Sequence, residues 1–114
     1  MRHRKKRHLR GSRDRRRKEL RALVKALVLY EAIETTAARA KLTRSAAEKM
    51  VSKGKKASLA ARRLLLRDLP ENAVRKIFEV LSPRYKERRG GYTRVLKIGK
   101  YKNGTPKVRL EFVK

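Results

Sequence analysis

Cysteine and tryptophan are absent from this 114-residue chain, histidine occurs twice and aromatics make up 5%. Without cysteine there is no disulfide framework, no thiolate nucleophile and no zinc knuckle, so packing and the binding partner must hold the fold. No run approaches the roughly 20 apolar residues of a membrane-spanning helix, and no apolar stretch follows the basic N-terminus as a secretory signal requires. Membrane insertion and export are therefore not expected. Acids are scarce as well, ten against 36 Lys and Arg, which leaves a net charge of +26. Those acids are scattered and form no carboxylate cluster of the two-metal type. His3 and His8 lie in a segment with no core to fix a general base in place. Walker-type phosphate loops and dinucleotide glycine patterns are missing too. No enzyme, metal, cofactor or small-molecule substrate is expected.

What remains is a strongly basic chain with enough apolar content to fold. Hydrophobic residues amount to 39%, below the roughly 45–50% of ordinary domains but far above a disordered basic tail. A charge of +26 on so small a body repels itself unless a polyanion or counterions surround it.

Residues 1–17 hold ten Lys/Arg, both histidines and only Met1 and Leu9 as apolar residues, the composition of an arm that orders on a polyanion. The pattern then changes. Leu20, Leu23, Val24, Leu27 and Val28 recur at helical spacing, with Ser12 or Asp14 placed to cap the start. Ile33-Glu34-Thr35-Thr36 predicts a short strand, and Thr36 an N-cap for a second helix from Ala37 to about Lys53. That helix carries Ala38, Leu42, Ala46 and Met50 at intervals of four, with Ala47 and Val51 beside them, and Gly54 is placed to end it. Ser58 caps a third helix through Leu66, and Pro70-Glu71 restarts a fourth. Val74, Ile77, Phe78 and Leu81 line this last helix, and Ser82-Pro83 closes it.

Beyond an irregular loop the period switches to two. Leu96 and Ile98 face one side of a strand, and Val108, Leu110 and Phe112 one side of another, with Asn103-Gly104 turning between them. A longer or bulged turn sets Ile98 opposite Val108 and Leu96 opposite Leu110, and the segment around Ile33–Thr35 joins as a third strand. The expected fold is α+β: four helices packed with a small, mostly antiparallel two- to three-stranded sheet. The expected division is a basic arm over residues 1–11 and a single α+β domain over 12–114.

Three clusters carry binding chemistry. The arm offers Arg2, His3, Arg4, Lys5, Lys6, Arg7 and Arg10, followed by Arg13 and Arg16, dense enough to neutralise closely spaced phosphates. Short basic runs also match nuclear-localisation and organelle-transit segments. The second cluster is Arg84, Tyr85, Arg88, Arg89, Gly90, Gly91, Tyr92, Thr93 and Arg94. Its glycines let backbone amides approach a phosphate, its arginines grip one bidentately, and its tyrosines suit stacking on unpaired bases. A flexible turn entering a strand is the plainer alternative. The third is Thr35, Thr36, Arg39 and Lys41, where a helix N-terminus meets two cations, although Thr36 serves equally as a simple cap. Arg62 and Arg63 on the third helix read either as contacts or as a solvated face.

With these residues in view, the chain resembles the bacterial large-subunit ribosomal protein seventeen family over nearly its whole length. The resemblance runs from Met1-Arg2-His3-Arg4-Lys5 through Tyr30-Glu31-Ala32-Ile33-Glu34-Thr35-Thr36, Ala38-Arg39-Ala40-Lys41 and Ala61-Arg62-Arg63. It continues in Pro83-Arg84-Tyr85, Arg88, Gly90-Gly91-Tyr92-Thr93-Arg94 and Leu96-Lys97-Ile98-Gly99. Departures are Arg15 where His is common, Ala22 where Asn is common, and a shortened tip at Lys102–Pro106. The resemblance implies a non-catalytic structural constituent of the large ribosomal subunit in the cytoplasm. It implies binding to 23S-type rRNA near the peptide exit tunnel side, beside large-subunit proteins twenty-two and thirty-two. An architectural DNA-binding protein is the alternative, but no recognition helix or minor-groove wedge is evident. A membrane-active cationic chain would call for bulky apolar residues, tryptophan among them, opposite its charges.

Deleting residues 1–11 is expected to leave helical circular dichroism nearly intact while weakening RNA binding and flattening its salt dependence. Loss of the helical signal would overturn the division into arm and body.

Overall fold

The computed structural model describes residues 12–114. Helix α1 spans Arg13–Tyr30, strand β1 Ala32–Thr36, helix α2 Ala37–Gly54 and helix α3 Leu59–Leu66. Helix α4 begins as a regular helix over Glu71–Lys76, widens into a π-helical turn over Ile77–Leu81 and ends with Ser82–Arg84. Strands β2, Thr93–Lys100, and β3, Pro106–Phe112, form the hairpin. The architecture is the expected α+β one. A three-stranded antiparallel sheet in the order β1-β3-β2 carries the helices, so the segment around Ile33 does join the hairpin.

The expected caps hold. Ser12, Thr36 and Ser58 each accept a hydrogen bond from the backbone N–H three residues on, at 3.2, 3.3 and 3.0 Å. Each satisfies a donor that the first helical turn leaves unpaired. The first helix starts earlier than its apolar stripe, so residues 13–17 are helical and not part of the arm. Its stripe is placed as read, with Val24, Leu27 and Val28 fully buried. Burial of each contributes about 1.5–3 kcal/mol.

Two expectations on packing are corrected and a third is refined. Helix α2 buries Ala40, Thr43, Ala47, Val51 and Gly54, while Ala38 is exposed and Leu42, Ala46 and Met50 are half-buried. The inward face is rotated because small residues let α2 approach its neighbours closely. Thr43 is tolerated there because its hydroxyl donates to the Arg39 carbonyl at 2.8 Å. Gly54 does end α2 as expected, with Lys55 right-handed after it. It lies against α4, where a Cβ would fall 2.5 Å from Ile77 Cγ2 and 2.7 Å from Ser82 Oγ. Ser82-Pro83 does not close α4. The Ser82 N–H donates to the Ile77 carbonyl, five residues back, and the helix continues until the Tyr85 N–H reaches the Leu81 carbonyl. A proline ring clashes with the carbonyl four residues before it in a regular helix, and the wider turn relieves that clash.

The hairpin register also differs from the hydrophobic pattern. Val95 opposes Leu110, Leu96 opposes Arg109 and Lys97 opposes Val108, with a bulge between Lys97 and Gly99. Leu96 and Ile98 therefore stay about two-fifths exposed, while Val108, Leu110 and Phe112 are buried. Tyr92 and Thr93 anchor the start of β2 in the core, and Val95 in place of Leu96 then falls opposite Leu110. The turn is longer than two residues, as expected. The Gly104 N–H donates to the Tyr101 carbonyl, and the Tyr101 N–H to the Thr105 carbonyl, both at 2.9 Å.

Gly54→Ala tests the α2–α4 contact. The helix propensity of alanine alone favours the substitution by about 1 kcal/mol, but overpacking at this contact is expected to dominate and to destabilise by about 1–3 kcal/mol. A lowered midpoint in urea unfolding is the expected result.

Candidate nucleic-acid interface

With acids so scarce, where each one sits decides which cations remain outward. Seven of the ten acids hold ion pairs within the described residues. Glu19 takes Arg39 at 2.7 Å, Glu34 takes Lys107 at 3.4 Å, and Glu111 takes Arg94 at 2.6 Å and Arg109 at 2.7 Å. Glu111 is held below its ordinary carboxylate value by hydrogen bonds from Arg109 and then Arg94. Three of the sequence candidates, Arg39, Arg84 and Arg94, thus spend part of their charge inside the protein.

Glu31 forms the tightest of these clusters. It caps α1 with a left-handed φ of 65°, and its carboxylate pairs with Arg84 at 2.5 Å and Lys76 at 3.0 Å. The Lys76 ammonium also donates to the Leu29 carbonyl at 3.3 Å, and the Phe112 N–H to the Glu31 carbonyl at 2.9 Å. The Arg84 hydrogen bond, followed by the Lys76 contact, overcomes desolvation and lowers the Glu31 carboxyl from 4.5 to about 2. Arg84 is correspondingly raised.

The loop after α4 is shaped from within. Tyr85 and Tyr92 are 2% and 1% exposed, with ring centroids 5.1 Å apart, and Tyr85 stacks on Phe112 at 6.2 Å. They do not offer the base-stacking surface that their spacing among cations suggests. Their rings serve the core, where such pairs contribute about 0.5–1.5 kcal/mol beyond area burial, and burial pushes the Tyr85 hydroxyl upward in pKa. That hydroxyl donates to the Val113 carbonyl. Thr93 is likewise buried, its hydroxyl donating to Glu48 Oε2 at 2.7 Å. Lys55 fastens the loop, its ammonium donating to the Arg88 carbonyl and to the Tyr92 hydroxyl at 3.1 Å.

The same loop carries Arg88, Arg89, Gly90 and Gly91 outward, all exposed. Nothing lies within 4 Å of where a Cβ would sit at either glycine, and Gly91 adopts a φ of +64° that side chains disfavour. Open backbone beside two arginines with no ion-pair partner among the described residues is a fit for phosphate oxygens.

The third cluster divides. Thr35 is buried opposite Val108 in the sheet, Thr36 spends its side-chain oxygen on the cap, and only Lys41 stays exposed without an acid partner among the described residues. Arg62 is half-buried over the Phe78 ring at 5.7 Å, whereas Arg63 is exposed. Arg13 is exposed on the first turn of α1 and Arg16 half-buried beside it. Arg2, His3, Arg4, Lys5, Lys6, Arg7 and Arg10 lie outside the described residues. Sequence reasoning missed Glu48 and Lys55, whose loop partners are 45 and 37 residues away in the chain. It also missed Lys97, Lys100 and Lys102, exposed along β2 and the hairpin tip.

The described residues thus form a small basic α+β body in which seven of the ten acids hold cations in ion pairs, while Arg88 and Arg89 face out beside an open backbone loop. The family model described as "Ribosomal protein L17" matches residues 19–113. The chain is 44% identical to the large ribosomal subunit protein bL17 of Thermodesulfovibrio yellowstonii, covering 94% of this chain and 82% of that protein. It is 49% identical to the bL17 of Caldanaerobacter subterraneus, covering 88% and 91%, and 53% identical to that of Endomicrobium trichonymphae, covering 70% and 69%. The chain belongs to the ribosomal protein L17 family, and is a structural protein, not an enzyme.

Because the Glu31 carboxyl is depressed in the folded state, its contribution is present above its unfolded value of 4.5 and is lost as pH falls toward about 2. Solvent at the site screens the pair, so the contribution is about 1 kcal/mol and not the several of a dry pair. Glu31→Gln is expected to lower stability at neutral pH and to flatten its loss between pH 4.5 and 2 in thermal unfolding.

Proposed function

We propose that the chain is a structural constituent of the large ribosomal subunit, in the cytoplasmic ribosome, and binds large-subunit rRNA through phosphate neutralisation and shape fitting. Family membership supports the subunit assignment, and the exposed Arg88-Arg89-Gly90-Gly91 loop is the single observation that carries the RNA reading. The loop is held in shape by Lys55, Tyr85 and Tyr92, so its cations meet RNA with little ordering entropy left to lose. Arg63, Lys41 and the cations of β2 widen the charged surface, and the basic arm supplies a second grip by ordering on the RNA. The finer placement near the peptide exit tunnel, beside proteins twenty-two and thirty-two, rests on the family resemblance, and cross-linking in assembled subunits tests it.

The untagged protein is expected to sediment with the large subunit at moderate salt, and failure to do so would refute the assignment. Replacing Arg88 and Arg89 together by Gln is expected to weaken RNA binding at all sequences alike. It should also reduce the slope of log affinity against log salt by roughly 1–2, as loss of two phosphate contacts requires.

A further inference from the structure

Helices α1 and α2 leave an open groove of about 360 Å³ between them. Its floor is Leu20, Ala46 and Met50, half-buried side chains seated on the core. Its rims carry Arg17 and Arg21 from α1 and Lys49 and Lys53 from α2, with the Asp68 carboxylate beside Arg21 at one end. Helical spacing dictates this: positions 17, 20 and 21 share one face, as do 46, 49, 50 and 53. The cations of each rim stand one turn apart, about 6 Å along the axis. Arg21 is held by Asp68 at 3.3 Å, while Arg17, Lys49 and Lys53 have no acid partner among the described residues.

An apolar floor between two rows of cations selects against most occupants. A purely apolar peptide would leave the ammonium groups desolvated without partners. A double-stranded nucleic acid would meet the rims but leave the floor unused, because its bases are stacked and paired. The ligand that matches both has a flat, largely apolar body on an anionic backbone. We propose that this groove receives one unstacked nucleotide of a single-stranded RNA segment, with its base on the Leu20–Met50 floor and the flanking phosphates on Arg17, Lys49 and Lys53. The proposal rests on the RNA-binding reading above and adds to it a subsite that holds a base. Single-stranded RNA is recognised through splayed bases that rest on side chains, most often aromatic rings or guanidinium planes; here the seat is aliphatic, and Arg21, paired with Asp68, stands at the groove wall.

The test is a fluorescence titration of the full chain with a single-stranded RNA oligonucleotide carrying 2-aminopurine, repeated across a salt series. Ala46→Phe fills the groove, and Met50→Gln keeps the side-chain length while making the floor polar. Each is expected to weaken binding about fivefold, through lost apolar contact between the base and the aliphatic floor. Each should also abolish the change in 2-aminopurine emission and leave the salt slope unchanged, because the rim cations remain. Replacing Lys49 and Lys53 together by Gln is expected to do the reverse, lowering the slope by about 1.4 for two single-strand phosphate contacts and retaining an emission change. Should Ala46→Phe melt early, Met50→Gln decides alone. Wild-type affinity and emission in folded floor variants would overturn the groove assignment while leaving the RNA-binding reading standing. Release of a neighbouring protein from the subunit, with RNA binding intact, would overturn it in the same way. A wild-type chain that binds no RNA would overturn both.

Discussion

The fold is tied together at Glu31. One carboxylate there meets Arg84 and Lys76 of α4, while its backbone closes α1 and receives the Phe112 N–H at the end of β3. The residue sits in a left-handed conformation that a glutamate adopts only when its surroundings hold it. Three elements distant in sequence are thereby brought to one point. The placement of the Arg88–Gly91 loop follows, because that loop departs directly from the end of α4. Without that carboxylate, Arg84 and Lys76 would repel each other and Arg84 would lose its ion-pair partner at the end of α1.

This use of a carboxylate follows from the charge balance of the chain. With 36 cations and ten acids, repulsion opposes compaction, and the fold places several of its few acids where elements meet. Glu19 joins α1 to α2, Asp68 joins the segment after α3 to α1, Glu48 joins α2 to the start of β2, and Glu111 neutralises arginines on both hairpin strands. Exposed pairs of this kind are individually weak, so their main effect is to choose which cations are satisfied internally. The remainder, among them Arg88, Arg89, Lys97 and Lys100, face outward and leave the surface strongly basic.

Much of this was legible from residue order. The helix caps at Ser12, Thr36 and Ser58, the stripe of α1 and the third strand at Ile33 depend on neighbours within a few positions or on simple periodicity, and each is where the pattern puts it. What was not legible depended on partners far along the chain. Tyr85 and Tyr92 looked like stacking residues because arginines and glycines surround them in sequence, yet the sheet and Phe112 close over both rings. Gly54 ends α2 as its position suggests, but only the approach of Ile77 and Ser82 reveals why no side chain fits there. The hairpin register departed for a similar reason: Thr93 is anchored to Glu48 of α2, and Val95 in place of Leu96 falls opposite Leu110.

The sequence by itself determined the class of fold, the excess positive charge and the family, since these are properties of composition, local periodicity and ordered motifs. Tertiary structure alone decided which cations are spent inside and which are left for a partner, because ion pairing depends on distances between residues tens of positions apart. It also decided that the tyrosines brace the loop from behind while the arginines and glycines face out. A side chain's chemistry can be read from its letter, but its exposure is set by what packs against it.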